Sequence, residues 1–483
     1  MGNLGEDLVT KLRRVLQQHE VKLEPAASFY TEQQWSPDSN DPTLSYLSRM
    51  LMDEDDEVES LPPQRSYQGL LDELTAIVSP SSSSRESSRE SDSPGSPSDA
   101  GFVSGVIDES PNSPTVDIQW CLMECARAVA AKDFAAFYAL ASDLRQVVWS
   151  QSTPLERLAM FFIEALVARV TGTGPQTYRA LVAGMTTRRI LSGSRIACLP
   201  SSRIHTFAND VILRACAGAR RVHIVDYGIF CGHQWPSLIK ALSVRPEGPP
   251  HLKITGIDLP MVPEATQAGQ RLTEYARSHG VQLEFCSIQS NSWETVQPVT
   301  HSNEFLVVNS NGRLQNMKDE WVAINNPRKL LFERISKMSP KLVVMTVGNS
   351  SMSSPFFLPK FEAALEYYTA KMESMDAWLS DDLEQRSLME KTFQKVIMNV
   401  VACDGLDQVE RPEKYKTWDV RAKRAGFKPF PVEDEDYERM KTTWGGYKYS
   451  EHFRCGRDEN WVLLGWKDVI MCAISAWQTK ARF

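Results

Sequence analysis

Two stretches of this chain place residues where a nucleotide-type cofactor could be held. Arg221–Asp226 is a run of strand formers closing on an acid, and Tyr227-Gly228-Ile229-Phe230-Cys231-Gly232 follows at once. Further along, Lys253–Asp258 ends in a second acid. A strand, a glycine turn, a helix and a second strand with a terminal carboxylate is the plan that binds dinucleotides or S-adenosylmethionine. Its glycines let the ligand approach the backbone, and its distal acid accepts the ribose hydroxyls. Asp226, Gly228, Gly232 and Asp258 fill those places. An intact methyltransferase loop would read Asp-x-Gly-x-Gly-x-Gly, and the middle glycine here is Phe230, whose side chain obstructs close approach. The pattern therefore argues for the fold more than for the ligand, and no cofactor is expected. His233 follows the turn and is the one histidine near this pocket, without a visible partner for acid–base work. His223, in mid-strand, reads as a hydrogen-bonded core residue.

Other chemistries find no footing. The sequence holds no Gly-x-x-x-x-Gly-Lys phosphate loop; Thr171-Gly172-Thr173-Gly174 reads as the close of a helix. Neither a Gly-x-Ser-x-Gly elbow after a strand nor a His-Glu-x-x-His helix is present. The nine cysteines are scattered without a CxxC pair or zinc-ligand spacing. They read as small buried side chains of a reducing compartment. No run approaches the ~18 apolar residues of a membrane span. The opening Met1-Gly2 has Glu6 where a myristoylation signal needs Ser or Thr, and no secretory apolar core follows.

The elements that would position the turn form two textures. Residues 116–184 repeat apolar side chains at three- and four-residue steps, as in Leu122, Cys125 and Val129 or Phe137, Leu140 and Leu144. They predict helices, one opening at Pro154 and ended by Gly172 and Gly174, with another piece from Tyr178. From about Arg203, strands alternate with helices, which argues a mostly parallel sheet. Strands are expected at Arg221–Asp226, Lys253–Asp258, Gln282–Ser287, Phe305–Asn309 and Lys341–Val347. Helices are expected at Ile204–Ala217, Trp235–Ser243, Glu264–His279, Pro327–Met338, Leu358–Leu379 and Leu383–Met398. Trp461–Trp466 and Val469–Trp477 read as an antiparallel hairpin at the sheet edge. The expected fold class is α/β, Rossmann-like, with an N-terminal helical cap and a disordered acidic arm before it.

That arm, residues 1–115, carries 21 acids against 8 bases, while the rest is mildly basic. Ser79–Ala100 is nearly devoid of apolar residues and cannot offset chain entropy by burial. Two amphipathic islands interrupt it. In Asp41–Glu57, Leu44, Leu47 and Leu51 share a helical face; in the second, Tyr67, Leu70, Leu71, Leu74 and Ile77 do so. Short apolar faces among acids suit docking in a partner's groove, or on the chain's own body.

These residues together carry a resemblance. Val222-His223-Ile224-Val225-Asp226 with Gly228 and Gln234-Trp235-Pro236 is similar to the VHIID motif of the plant GRAS family. Ser475-Ala476-Trp477, preceded by Trp461, Gly465 and Trp466, resembles its SAW motif. Pro355-Phe356-Phe357 and Lys360-Phe361-Glu362 resemble its PFYRE region, with Lys360 at the usual arginine. Residues 116–184 and 264–298 take the places of its two leucine-rich regions, 195–260 that of the VHIID region, 305–400 that of PFYRE and 403–480 that of SAW, all within a domain at 116–483. Leu44-Ser45-Tyr46-Leu47 to Met50-Leu51-Met52-Asp53-Glu54-Asp55 resembles the arm of the scarecrow-like branch first described from lily.

The resemblance implies a nuclear transcription regulator, shuttling or not with the cytoplasm, on a methyltransferase-like fold. It implies pairing with itself or other transcription factors through the helical cap, and contact with DNA directly or through partners. The acidic-hydrophobic islands of the arm, for their part, suggest contact with the transcription machinery. Membrane contact and catalysis are not expected. An S-adenosylmethionine-dependent methyltransferase, and a scaffold that senses a small ligand in the old pocket, are the competing classes.

Overall fold

Five hydrophobic runs become the parallel half of one sheet, flanked by an antiparallel half. The computed structural model describes residues 24–25, 117–151, 153–184, 204–260, 264–379, 383–442 and 450–479. The expectations for residues 1–115, the two islands included, lie outside the described residues, apart from one strand pair. The strands are β1 (Glu24–Pro25), β2 (Arg221–Tyr227), β3 (His251–Asp258), β4 (Leu283–Gln289), β5 (Phe305–Asn311), β6 (Leu342–Gly348), β7 (Phe427–Pro429), β8 (Phe453–Asp458), β9 (Trp461–Trp466) and β10 (Val469–Thr479). Their order is β1-β8-β9-β10-β6-β5-β2-β3-β4, with β7 pairing the end of β10. The segment β4-β3-β2-β5-β6 is parallel throughout, and β10 runs antiparallel between β6 and β9. The reversal of order at β2 leaves a crevice at the carboxyl ends of β2 and β5, where this fold class binds ligands.

The helices are α1 (Ile118–Ala130), α2 (Phe134–Val147), α3 (Pro154–Val170) and α4 (Gly174–Ala183). They continue with α5 (204–215), α6 (Trp235–Ser243), α7 (Glu264–Ser278), α8 (Pro327–Met338), α9 (Phe357–Trp378), α10 (Leu383–Ala402), α11 (Tyr415–Arg424) and α12 (Asp434–Thr442). Local chemistry sets the early starts. Asp117 accepts the Trp120 amide at 3.0 Å and Asp133 the Ala136 amide at 3.0 Å. Thr153 and Glu156 form a reciprocal capping box around Pro154. Alternation in β2 then sorts the two faces of the sheet. Val222 and Ile224 pack with α5, α6 and α7, whereas Val225 and Tyr227 pack with α8 and α11.

Three expectations are corrected. The hairpin β9–β10 is not at the edge, because β8 pairs β9 on its outer side. β8 reads Phe-Arg-Cys-Gly-Arg-Asp, so its short inward alternation, Phe453 and Cys455, is masked by charge. The third helical piece begins at Gly174 rather than Tyr178. A Cβ at Gly174 would overlap the carbonyl oxygen of Ala402, so this start packs directly on the end of α10. Finally, the cap is not built from residues 116–184 alone. Its core joins Leu122, Phe137 and Phe162 to Phe361, Tyr368, Ile397 and Val401 of α9 and α10. Periodicity shows that each helix has an apolar stripe but not which distant stripe covers it. Phe162 and Phe361 meet edge to face at 5.1 Å. Removing such a buried ring costs about 3–5 kcal/mol. Arg157 reaches Asp376 and, at 2.8 Å, Glu390, which fixes how α3 seats on α9 and α10.

Candidate functional site

The turn between β2 and α6 is held to the end of β3 from several directions. The Gly228 amide donates to the Ile257 carbonyl at 2.7 Å. Gly228 has φ +95°, and a Cβ there would overlap Cβ of Arg313. Only glycine meets both demands. The space that such glycines leave for a ligand is therefore taken by an arginine side chain from the segment after β5. Gly232, at φ +73°, closes the turn against Leu272. Phe230 also adopts a left-handed backbone, φ +52°. An L-residue with a bulky side chain bears a cost there. The return is its amide, which donates to Asp258 Oδ2 at 2.8 Å.

Asp258 is fully buried and its carboxylate is occupied by the chain itself. Besides the Phe230 amide, Oδ1 accepts the Leu259 amide at 2.8 Å and faces Arg313 Nη2 at 3.3 Å. The Arg313 guanidinium carbon lies 6.0 Å from the Phe230 ring centre. The acid that would receive ribose hydroxyls thus completes an internal knot.

Asp226 is sealed one layer deeper. Oδ2 accepts the Trp235 indole N–H at 3.0 Å and Oδ1 the Asn309 amide at 2.9 Å. Gln234 continues the network to Asn309 and to Asn209 of α5. Burial, aided by the like charge of Asp258, pushes the Asp226 carboxyl up to about 7. Its geometry ties α6 and β5 to β2, and both of its oxygens are spoken for.

His233 does have a partner, which sequence reasoning missed. His205 on α5 lies 4.7 Å away between ring centres, and Cys231 Sγ is 3.2 Å from His233 Nδ1. Burial pulls His233 down to about 4 and His205 well below the usual range, so both are neutral at pH 7. Cys231 is itself fully buried, so its thiol and the imidazole beside it are packed into the turn. His205 Nε2 meets Asn311, while its Nδ1 has no partner among the described residues. A histidine ahead of the first strand carried no spacing signal that could have revealed it.

The other motif residues are structural. His223 bridges strands, with Nδ1 2.9 Å from Glu304 and Nε2 2.8 Å from Thr255. Val222, Ile224 and Val225 are core. Ser475, Ala476 and Trp477 lie in mid-sheet on β10, where the Trp477 indole donates to Ser475 Oγ at 2.8 Å. The Trp461 indole donates to Asp419 and that of Trp466 to Glu373. Gly465 sits between Arg454 and Ile470 in register. Lys360, buried near the start of α9, holds Asp404 and Gln408 at 2.9 and 3.1 Å. Among the described residues no group of three or more His, Cys, Asp or Glu could hold a metal, and no helix is long and apolar enough to cross a membrane.

Residues 118–478 match the GRAS domain family. Scarecrow-like protein 14 of Arabidopsis thaliana is 36% identical over 381 residues, 75% of this chain and 49% of that protein. Scarecrow-like protein 33 of the same plant is 36% identical over 379 residues, 75% of this chain and 54% of its own length. The chain thus spans about half the length of these curated relatives. Among solved structures, SCL7 of Oryza sativa superposes with a TM-score of 0.62 at 25% identity, over 75% of this chain and 100% of that one. With its self-filled crevice and its VHIID and SAW residues in the core, this chain belongs to the GRAS domain family, alongside the Scarecrow-like proteins it resembles.

Proposed function

We propose that this chain is a nuclear regulator of transcription, acting through protein contacts and without catalysis of its own. The observation that carries this reading is the occupation of the crevice. Asp258 is spent on Phe230, Leu259 and Arg313, and the space over Gly228 is filled by Arg313. A cofactor would have to break these contacts before making its own, a cost subtracted from its affinity. The buried body is then a rigid platform, and its surfaces are what remains for function.

Family membership supports the regulatory assignment, and the acidic residues 1–115 supply the kind of segment that contacts transcription machinery. Pairing with itself or other factors through the cap, and contact with DNA directly or through those factors, belong to the same proposal. The test is the full chain fused to an unrelated DNA-binding domain beside a reporter, with nuclear position followed by a fluorescent tag. A change in reporter output from a nuclear fusion is expected. An inert fusion, together with micromolar S-adenosylmethionine binding (about 8 kcal/mol) in calorimetry, would put the methyltransferase reading in its place.

A further inference from the structure

An open groove runs between α1, α9 and the turn joining β9 to β10, and it shares no residue with the crevice. Its volume is about 930 Å³. Trp120 and Met123 form one wall, and Val469 and Ile470 contribute to the opposite one. Trp120 is 57% exposed, an unusual place for a tryptophan without a partner. The floor is braced: Gln119 Nε2 donates to Thr369 at 3.2 Å, and Asn349 Nδ2 donates to the Ile470 carbonyl at 3.0 Å. Lys467 pairs with Glu373 at 2.6 Å, which neutralises that end.

The rest of the groove is acidic. Glu362 and Glu366 stand one turn apart on the exposed face of α9, and Asp468 caps the hairpin turn. None of the three has an ionic partner among the described residues. Of the lining bases, Arg127 is engaged by Glu124, and Lys414 alone has no ionic partner among the described residues. Two like charges one turn apart repel each other and weaken their own helix, so something other than helix stability accounts for their presence.

We propose that this groove docks a basic amphipathic segment of another protein, an apolar side chain resting on Trp120 and Lys or Arg side chains facing Glu362, Glu366 and Asp468. Charge chooses the occupant. A second copy docking through this same patch would bring the same acidic face, and the −13 net charge of residues 1–115 has the wrong sign. Rim charges of this kind mainly raise the association rate and select partners, while the tryptophan anchor supplies affinity.

The probe is a fluorescent helical peptide with a leucine face and a Lys/Arg face, carrying a photo-crosslinker, titrated against the full chain. A second peptide with Glu in place of every base is the control. The basic peptide should bind, crosslink within α1 or α9, and weaken with salt. Glu362→Lys/Glu366→Lys should reduce its affinity at least tenfold, and Trp120→Ala should do likewise, with circular dichroism and the melting transition unchanged. Equal binding of both peptides, crosslinks confined to residues 1–115, or full binding by the double lysine variant would overturn the proposal. A shift from dimer to monomer caused by Trp120→Ala alone would overturn it too, by making a second copy the occupant.

Discussion

The crevice above β2 and the groove beside α1 use the same kinds of residue to opposite ends. In the crevice, an arginine, an aromatic ring and carboxylates meet one another: Arg313 reaches Asp258, Phe230 donates to it, and Trp235 donates to Asp226. In the groove, a tryptophan is more than half exposed and three carboxylates have no ionic partner among the described residues. Polar groups that are satisfied internally stabilise a fold and are unavailable to a ligand. Those left unsatisfied at a surface do the reverse. Substitutions in the two places should therefore separate cleanly, one set reading out as stability and the other as binding.

The largest effect is expected at Gly228. Alanine there meets both the φ of +95° and Cβ of Arg313, and should cost about 2–5 kcal/mol in urea denaturation. A cost under about 1 kcal/mol would mean that Arg313 swings away and the crevice opens, which would blur the contrast. Arg313→Ala comes next, at about 1–3 kcal/mol, because Asp258 keeps its two backbone donors.

Asp226 gives a pH signature. Its folded value, about 7, lies above that of an unfolded aspartate. Its contribution to stability is complete below the unfolded value and is lost as pH rises through about 7. Asp226→Asn removes that loss, so the stability of the variant minus that of the parent should grow between about pH 4 and pH 8. His205 and His233, held below their usual range, act in the opposite direction: their contribution is lost as pH falls from about 6.5 towards 4. The difference between variant and parent isolates the carboxyl; a flat difference would place Asp226 in contact with solvent. The smallest effect is at Trp120, where alanine should change stability by no more than about 0.5 kcal/mol.

The strands of the parallel half and the β2–α6 turn were legible because period-two runs and glycine spacing are local signals. Trp235–Ser243 and Pro327–Met338 fall where the sequence places them. What closes the crevice was not legible. Arg313 stands three strands further along the chain than Gly228, and nothing in either neighbourhood names the other. Separation along the chain likewise hid His205 beside His233 and Glu304 beside His223. β8 was hidden for a different reason, since Arg454, Arg457 and Asp458 give an outer strand the composition of a loop. Phe230 was read as an obstruction from its side chain, whereas the structure gives its amide the larger part.

The discontinuous cap sets a timetable for synthesis. Helices α1 to α3 leave the ribosome with Leu122, Phe137 and Phe162 uncovered, and the faces that bury them, around Phe361 and Val401, come only after the whole parallel sheet. At about 5–20 residues per second, that interval is roughly 10–40 seconds. For that time the N-terminal helices are an incomplete bundle with an apolar stripe on display, a natural client for chaperones. The cap can close once α10 has emerged, before β8, β9 and β10 are made and β10 adds to β6.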